Sequence, residues 1–427
     1  MRIAIKTLGC KVNQSESSSM EGMLRNEDHD IVDYNDNPDV CIVNTCTVTG
    51  KSDYQSRQLI RKAIKTGARV LATGCYAQLK PDELSKIEGL DLIIGNSDKK
   101  DIVSHINRLT EGDIHTSLSA YPHSSSLSLQ PYYSTRSRAF LKIQDGCDFA
   151  CTYCTVPLAR GRSRSLKRDD VRAAAERLSI DGFNEIVLTG IHIGCYGLDL
   201  NPKGSLLDIV NMLIASFPHI RFRLSSLEPH EFKDEYLSYV KNGNLCAHLH
   251  IPLQSGSNKI LKAMNRGYTM EFYKKVIDRI LNACPDIAVG TDIIAGFPGE
   301  NEDDFNNSVE FIEHLPVSYL HVFPYSKRTN TPASLFDDQV SDQIKRQRVN
   351  ILIGISHKKR IAHLNRNLGK ILDVIIENKS AIGTLYKGIS DNYLKLLVRS
   401  NELSKGQRIK ARVISLTRSG LIAELVN

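Results

Sequence analysis

No stretch of the 427 residues is apolar over the length a membrane span needs, so no transmembrane helix and no membrane partner are expected. Met1 to Cys10 introduces lysine, glycine and cysteine too early for the apolar core of a secretory signal. Disulfides are not expected either. A chain with neither signal nor span reads as cytoplasmic, and that compartment keeps its ten cysteines as thiols or metal ligands. Internal repeats are absent beyond an alternation of strand and helix patterns. The length excludes a single ordinary core, so two or three domains are expected.

The net charge of +7 is unevenly spread. From Lys345 onward 17 Lys and Arg face 5 Asp and Glu, whereas the preceding residues carry 38 against 43. All net basicity therefore lies in the last fifth of the chain, which points to a polyanion, nucleic acid first. A solvated basic surface is the alternative reading.

Over residues 1–115, strand patterns at 2–8, 40–46, 69–75 and 90–94 alternate with helices at 17–25, from 53 to about 67 and from Pro81. This rhythm predicts an open parallel α/β sheet. Residues 116–137, rich in serine, read as a linker. Over 138–340, strands at 139–144, 185–189, 221–226, 248–253, 289–295 and 319–323 alternate with helices. They predict a partial (β/α)6 barrel with its chemistry at the C-terminal strand ends. A basic helix over 341–366 carries Ile344, Ile351, Leu352 and Ile355 on one face. Residues 367–427 break into five short strands, expected near 371–376, 382–386, 393–398, 408–416 and 421–426. They fit a small all-β barrel of the oligonucleotide-binding type.

The sharpest chemical signal is Cys147-x-x-x-Cys151-x-x-Cys154, directly after the first barrel strand. Three thiolates on one loop can hold three corners of a cubane iron–sulfur cluster, and the next cysteine, Cys195, lies 41 residues away. One iron would stay open to another ligand. Zinc is the alternative, but nothing near the loop completes a four-ligand set. A second trio is dispersed: Cys10, Cys46 and Cys75 each fall at the C-terminal end of an expected parallel strand. Such ends share one sheet edge, where open α/β folds bind ligands. Cys41, Cys246 and Cys284 have apolar or helix-end neighbours and read as structural, as does Cys195 despite its place near the active face.

These residues resemble a known family. The Cys147/Cys151/Cys154 loop is similar to the cluster loop of the radical S-adenosylmethionine (SAM) superfamily. Leu8-Gly9-Cys10-Lys11-Val12-Asn13, Asn44-Thr45-Cys46 and Thr73-Gly74-Cys75 resemble the N-terminal motifs of its methylthiotransferases. His250-Ile251-Pro252-Leu253-Gln254-Ser255-Gly256, Met264-Asn265-Arg266 and the segment from Thr291 to Glu300 match as well, and the C-terminal segment resembles a TRAM domain. Within the family, Gly9 to Asn13 resembles the branch acting on N6-threonylcarbamoyladenosine in tRNA. The isopentenyladenosine branch and the branch acting on a ribosomal-protein aspartate are the alternatives. A non-catalytic iron–sulfur RNA-binding protein is the rival of another class.

The resemblance implies two [4Fe-4S] clusters, one on each cysteine trio, and SAM bound at the open iron of the Cys147/Cys151/Cys154 cluster. It implies transfer of a methylthio group to C2 of the adenosine beside the anticodon, with an electron donor of the flavodoxin or ferredoxin type. Tyr153, Thr189, Gly190, Ser225 and Gly296 are expected to contact SAM. The usual Gly-Gly-Glu element is replaced by Thr189-Gly190-Ile191, so the holder of the SAM amine is open; Glu228 is one candidate, and a helix-start acid is its other reading. Lys387, Lys395, Arg399, Lys405, Lys410 and Arg412 are expected to meet the anticodon stem-loop, with bases stacking on Tyr386 and Tyr393.

Overall fold

A computed structural model describes residues 1–111, 127–128, 132–380, 383–417 and 420–426. Most of the expected linker, and the start of the strand expected at 382–386, lie outside these residues. No helix among the described residues is long and apolar enough to cross a membrane.

The N-terminal unit is a five-stranded sheet of β1 (Arg2–Thr7), β2 (Asp30–Val32), β3 (Val40–Thr45), β4 (Arg69–Gly74) and β5 (Leu92–Ile93). The order is β2-β1-β3-β4-β5 and every pair is parallel. β3, Val-Cys-Ile-Val-Asn-Thr, is buried at all six positions because helices cover both faces. Val40 and Ile42 pack with Met20 and Leu24 of α1 (Lys11–Arg25), while Cys41 and Val43 pack with Ile60 and Ala63 of α2 (Gly50–Ile64). The three-residue β2 carries no sequence signal of its own and is an addition to the expected strands.

Six parallel strands form the central domain: Ala139–Lys142, Glu185–Thr189, Arg221–Leu224, His248–His250, Ala288–Ala295 and Tyr319–Pro324. The first three pair in one run and the last three in another. Isolated parallel bridges, Phe222–Leu245 and Ser226–His250, join the two runs. This is the expected partial barrel. The first and last strands do not pair with each other among the described residues. Against the first strand lies α1, whose Ser15 hydroxyl donates to the Phe140 carbonyl (2.7 Å).

The basic helix Asp342–Asn365 lies on the strand Tyr319–Pro324 by half of the face expected, Leu352 and Ile355 being buried. Ile344 and Ile351 are exposed; the buried side consists of Lys345, Arg348, Leu352 and Ile355. Arg348 is buried because Glu300 meets it at 2.7 Å, so an ion pair overrode the apolar periodicity.

The last domain is a closed barrel of Ile371–Lys379, Leu385–Ser390, Lys395–Arg399, Arg408–Thr417 and Gly420–Leu425, antiparallel except for one parallel contact. It docks on the central domain through buried charge. Arg221 and Arg223, both about fully buried, share the Glu185 carboxylate (2.7 and 2.8 Å from their Nε atoms). Their remaining donors bind the small barrel: Asp373 (2.9 Å) and the carbonyls of Ile389, Ser390 and Asp391 (3.1, 3.0 and 2.9 Å).

Candidate active site between two cysteine trios

The dispersed trio converges because its residues end adjacent parallel strands. Cys10 is the N-cap of α1, Cys46 follows β3, and Cys75 opens the short helix after β4. Gly9 makes the approach possible. Its φ is +99°, and a Cβ there would sit 2.9 Å from both Cβ and Sγ of Cys46. Asn13, buried one turn into α1, donates to the carbonyls of Leu8 (2.8 Å) and Thr45 (2.9 Å), tying together the loops that carry Cys10 and Cys46.

The second trio lies on the loop after the first barrel strand. A side chain at Gly146 would collide with the Arg162 carbonyl, so the loop can turn there only as glycine. The backbone N–H groups of Phe149 and Val156 point at the sulfurs of Cys147 and Cys154, each at 3.4 Å. The Met264-Asn265-Arg266 motif clamps the loop. Met264 O accepts from Thr152 N (3.1 Å), Asn265 donates to Ala150 O (2.9 Å), and Arg266 donates to Cys151 Sγ (3.3 Å). Arg266 also pairs with Glu228, which places that acid beside the cluster loop.

One arginine links the trios. Arg160, six residues past Cys154, is 1% exposed and donates from Nε to Cys75 Sγ (3.2 Å). Its other nitrogens reach Glu16 (2.7 Å), Asp145 (2.9 Å) and Asn13 (2.6 Å). Lys142 and Lys99 complete the group by pairing with Glu16. Burial works against the Glu16 carboxylate, yet Arg160, Lys142 and Lys99 hold it well below the usual carboxylate range.

All ten cysteines are free thiols. Burial pushes the thiols of Cys46 and Cys154 up, to about 11 and about 12, and neighbouring trio members push the same way. Cys10 is raised by burial, opposed by Arg160 and reinforced by Cys75. Three thiolates drawn close together need a cation among them, and iron bound by thiolates meets that need. Both trios therefore fit metal clusters. Beside Cys147, His192 lies 3.6 Å from its sulfur and 3.4 Å from that of Cys195, and pairs with Glu231. Cys195 is thus half-buried beside the cluster loop and not in the apolar core.

A cavity of about 1180 Å³ opens between the domains. Cys10, Lys11 and Cys46 line one wall; Thr189, Gly190 and Ser225 line another; the helix 342–365 and Tyr393 complete it. Gly190 packs on Gln144, whose amide donates to Gly146 O (2.8 Å) at the root of the Cys147 loop. The Ser225 hydroxyl, His248 Nδ1 and the Tyr325 hydroxyl are buried in this lining without a hydrogen-bond partner. Such orphaned polar atoms suit a polar ligand such as SAM. Two expected SAM contacts lie outside the lining. Tyr153 packs edge-on to Phe297 (6.5 Å), and Gly296 is covered by the Lys345 side chain.

Sequence reasoning singled out Tyr393 but missed the wall of rings it belongs to. Tyr393 stacks on His248 (4.5 Å), His248 lies parallel to Tyr319 (6.1 Å), and His321 follows (5.1 Å). His321 and His250 both meet Asp292 Oδ1, at 3.1 and 2.9 Å. Ring residues recurring at alternate positions, His248 with His250 and Tyr319 with His321, were the available signal.

Lys387, Lys395, Arg399, Lys405, Lys410 and Arg412 are all exposed. Lys387 lies opposite Leu397, which Lys395 and Arg399 flank, so these three share an outer face. Arg399 reaches Glu424 (3.2 Å) and Lys410 reaches Asp373 (3.4 Å). Tyr386 is not a base platform. Alternation turns it into the barrel core, 5% exposed.

Residues 141–312 match the family described as the Radical SAM superfamily, and residues 2–95 match the one described as Uncharacterized protein family UPF0004. The chain is 36% identical to the threonylcarbamoyladenosine tRNA methylthiotransferase MtaB of Bacillus subtilis, over 96% of this chain and 93% of that one. The MtaB of Thermotoga maritima is 35% identical over 99% and 96%. A tRNA-2-methylthio-N(6)-dimethylallyladenosine synthase of Clostridium botulinum is 31% identical over 97% and 95%. Among solved structures, the radical SAM methyltransferase TsrM of Kitasatospora setae, with cobalamin and a [4Fe-4S] cluster bound, shares the fold. Its TM-score is 0.56 at 14% identity, over 78% of this chain and 77% of that one. With Cys10 and Cys46 facing, across one cavity, the strand ends of the barrel that carries the Cys147 loop, and with this likeness along nearly its whole length, the chain belongs to the radical SAM tRNA methylthiotransferase family.

Proposed function

We propose that the protein methylthiolates C2 of N6-threonylcarbamoyladenosine next to the anticodon of tRNA. The observation that carries this reading is the cavity shared by Cys10 and Cys46 on one side and the C-terminal barrel strand ends on the other. Cys147, Cys151 and Cys154 would hold one cluster and Cys10, Cys46 and Cys75 the other. When bound, the two clusters and SAM supply one-electron cleavage of SAM, hydrogen abstraction and sulfur delivery.

The chain's own residues supply placement. Thr189, Gly190 and the free Ser225 hydroxyl would hold SAM in the cavity, with Tyr153 and Gly296 supporting from beneath. The rings of His248, Tyr319 and Tyr393 offer a surface on which an unstacked base can lie. Electrons would come from a flavodoxin-type or ferredoxin-type protein. Mass spectrometry of tRNA nucleosides from cells with and without the gene tests the reading. Loss of the 2-methylthio derivative of threonylcarbamoyladenosine is expected; loss of the isopentenyladenosine derivative instead would reassign the substrate.

Lys387, Lys395 and Arg399, with Lys405, Lys410 and Arg412 around them, would grip phosphates. Replacing Lys387, Lys395 and Arg399 by Ala leaves the docking face of the small barrel untouched. The slope of log K against log [salt] for tRNA binding should then become shallower by about 2–3, at roughly 0.7–0.9 per lost contact. A merely solvated patch would leave affinity and slope unchanged in filter binding.

A further inference from the structure

Lys11 follows Cys10 directly and lines the cavity half-buried. It makes no ion pair with any acid among the described residues; its recorded contact is with the Tyr393 ring, 5.8 Å from the centroid. The buried acid whose charge reaches it, Glu185, is already shared by Arg138, Arg221 and Arg223. Other cations of the lining differ. Lys345 pairs with Asp342 (3.3 Å), and Lys51, Lys327 and Arg346 are exposed, where a pairing with an anion is worth little. Lys11 is therefore a positive charge on the cavity wall beside the sulfur site, with no acid among the described residues paired to it.

The chemistry of the base says what that partner is. In adenine, C2 and the carbon bearing N6 flank N1 on one edge of the ring. A base that presents C2 to the Cys10 site must present its N6 substituent to the residues next to that site. We propose that Lys11 reads the charge of the N6 substituent, pairing its ammonium with a carboxylate carried there. The inference rests on the nucleoside reading above and adds the residue that distinguishes an acidic substituent from an uncharged one.

Three anticodon stem-loop RNAs test it on the full-length, anaerobically reconstituted protein by fluorescence anisotropy. Their adenosine bears threonylcarbamoyl, the methyl ester of threonylcarbamoyl, or no substituent. The wild type is expected to bind the acid about 10–100-fold more tightly than the ester, the range of a hydrogen bond between charged groups. Lys11→Gln should bring acid and ester within about twofold, with iron content retained, and Lys11→Arg should keep most of the preference. Equal binding of acid and ester by the wild type overturns the inference without needing any variant, so misfolding of Lys11→Gln cannot shield it. Equal weakening of acid and ester in Lys11→Gln also overturns it, since Lys11 would then be gripping a phosphate. A wild type that ignores the threonylcarbamoyl group altogether, binding all three RNAs alike, would instead sink the nucleoside reading itself.

Discussion

Anaerobically reconstituted protein carrying Cys10→Ala, Cys46→Ala and Cys75→Ala is expected to keep cleaving SAM while making no methylthiolated product. Its iron should fall from about eight to about four per chain, since each cubane holds four. The reciprocal variant, Cys147→Ala with Cys151→Ala and Cys154→Ala, should also keep about four irons but lose SAM cleavage altogether. The reason is spatial. Thr189, Gly190 and Ser225 belong to the barrel that carries the Cys147 loop, whereas Cys10 and Cys46 approach the cavity from another domain. Iron analysis and quantitation of 5′-deoxyadenosine check both. Full iron in either triple variant, or loss of SAM cleavage from a folded Cys10/Cys46/Cys75 variant, would break the assignment.

Arg160→Met should be the most damaging single change outside the cysteines. It leaves the Asp145 carboxylate with Lys142 and the more distant Arg164, weakens the hold on Glu16, and removes the donor to Cys75. Breaking a buried ion group by deleting one partner costs about 3–5 kcal/mol, a large part of a domain's stability. Adding Glu16→Gln should recover a portion of it, because contacting charges couple by roughly 0.5–3 kcal/mol. The effect should depend on pH. Burial opposes ionisation of Glu16 and Asp145, but Arg160 and Lys142 depress both folded-state pKa values below the unfolded ones. Their stabilisation is thus present above the normal carboxylate range and is lost as pH falls below that range, through the depressed folded-state values. Denaturant midpoints of wild type and Arg160→Met should converge toward acid pH. A gap that stays constant from neutral to acid pH would remove Arg160 from this role.

Arg160 also marks the limit of what the sequence discloses. The cysteine trios were legible because strand-end position and loop spacing are local properties. The pairing of Arg160 with Glu16 spans 144 residues and leaves no local trace. For the same reason α1 begins at Lys11, although apolar periodicity starts only near Met20. Its first turns bury Asn13, Ser15, Glu16 and Ser17 against the cysteine loops and the barrel, and a polar run of that kind reads as loop. The helix 342–365 misled in the opposite sense, since Ile344 and Ile351 are exposed while Lys345 and Arg348 join Leu352 and Ile355 on the buried side. The small barrel was readable from its glycines and short strands. Its attachment by Arg221 and Arg223 was not, because the partners are mostly backbone carbonyls and carry no side-chain signature.

That attachment makes the molecule a ruler. With both guanidiniums buried and every direction of the fork occupied, the small barrel cannot swing without uncovering two charges. The distance from its basic outer face to the cavity is therefore set by the protein alone. If tRNA is gripped on that face as proposed, it would meet the cavity at one span of backbone, and the nucleotide that enters would be chosen by counting along the strand before its base is read.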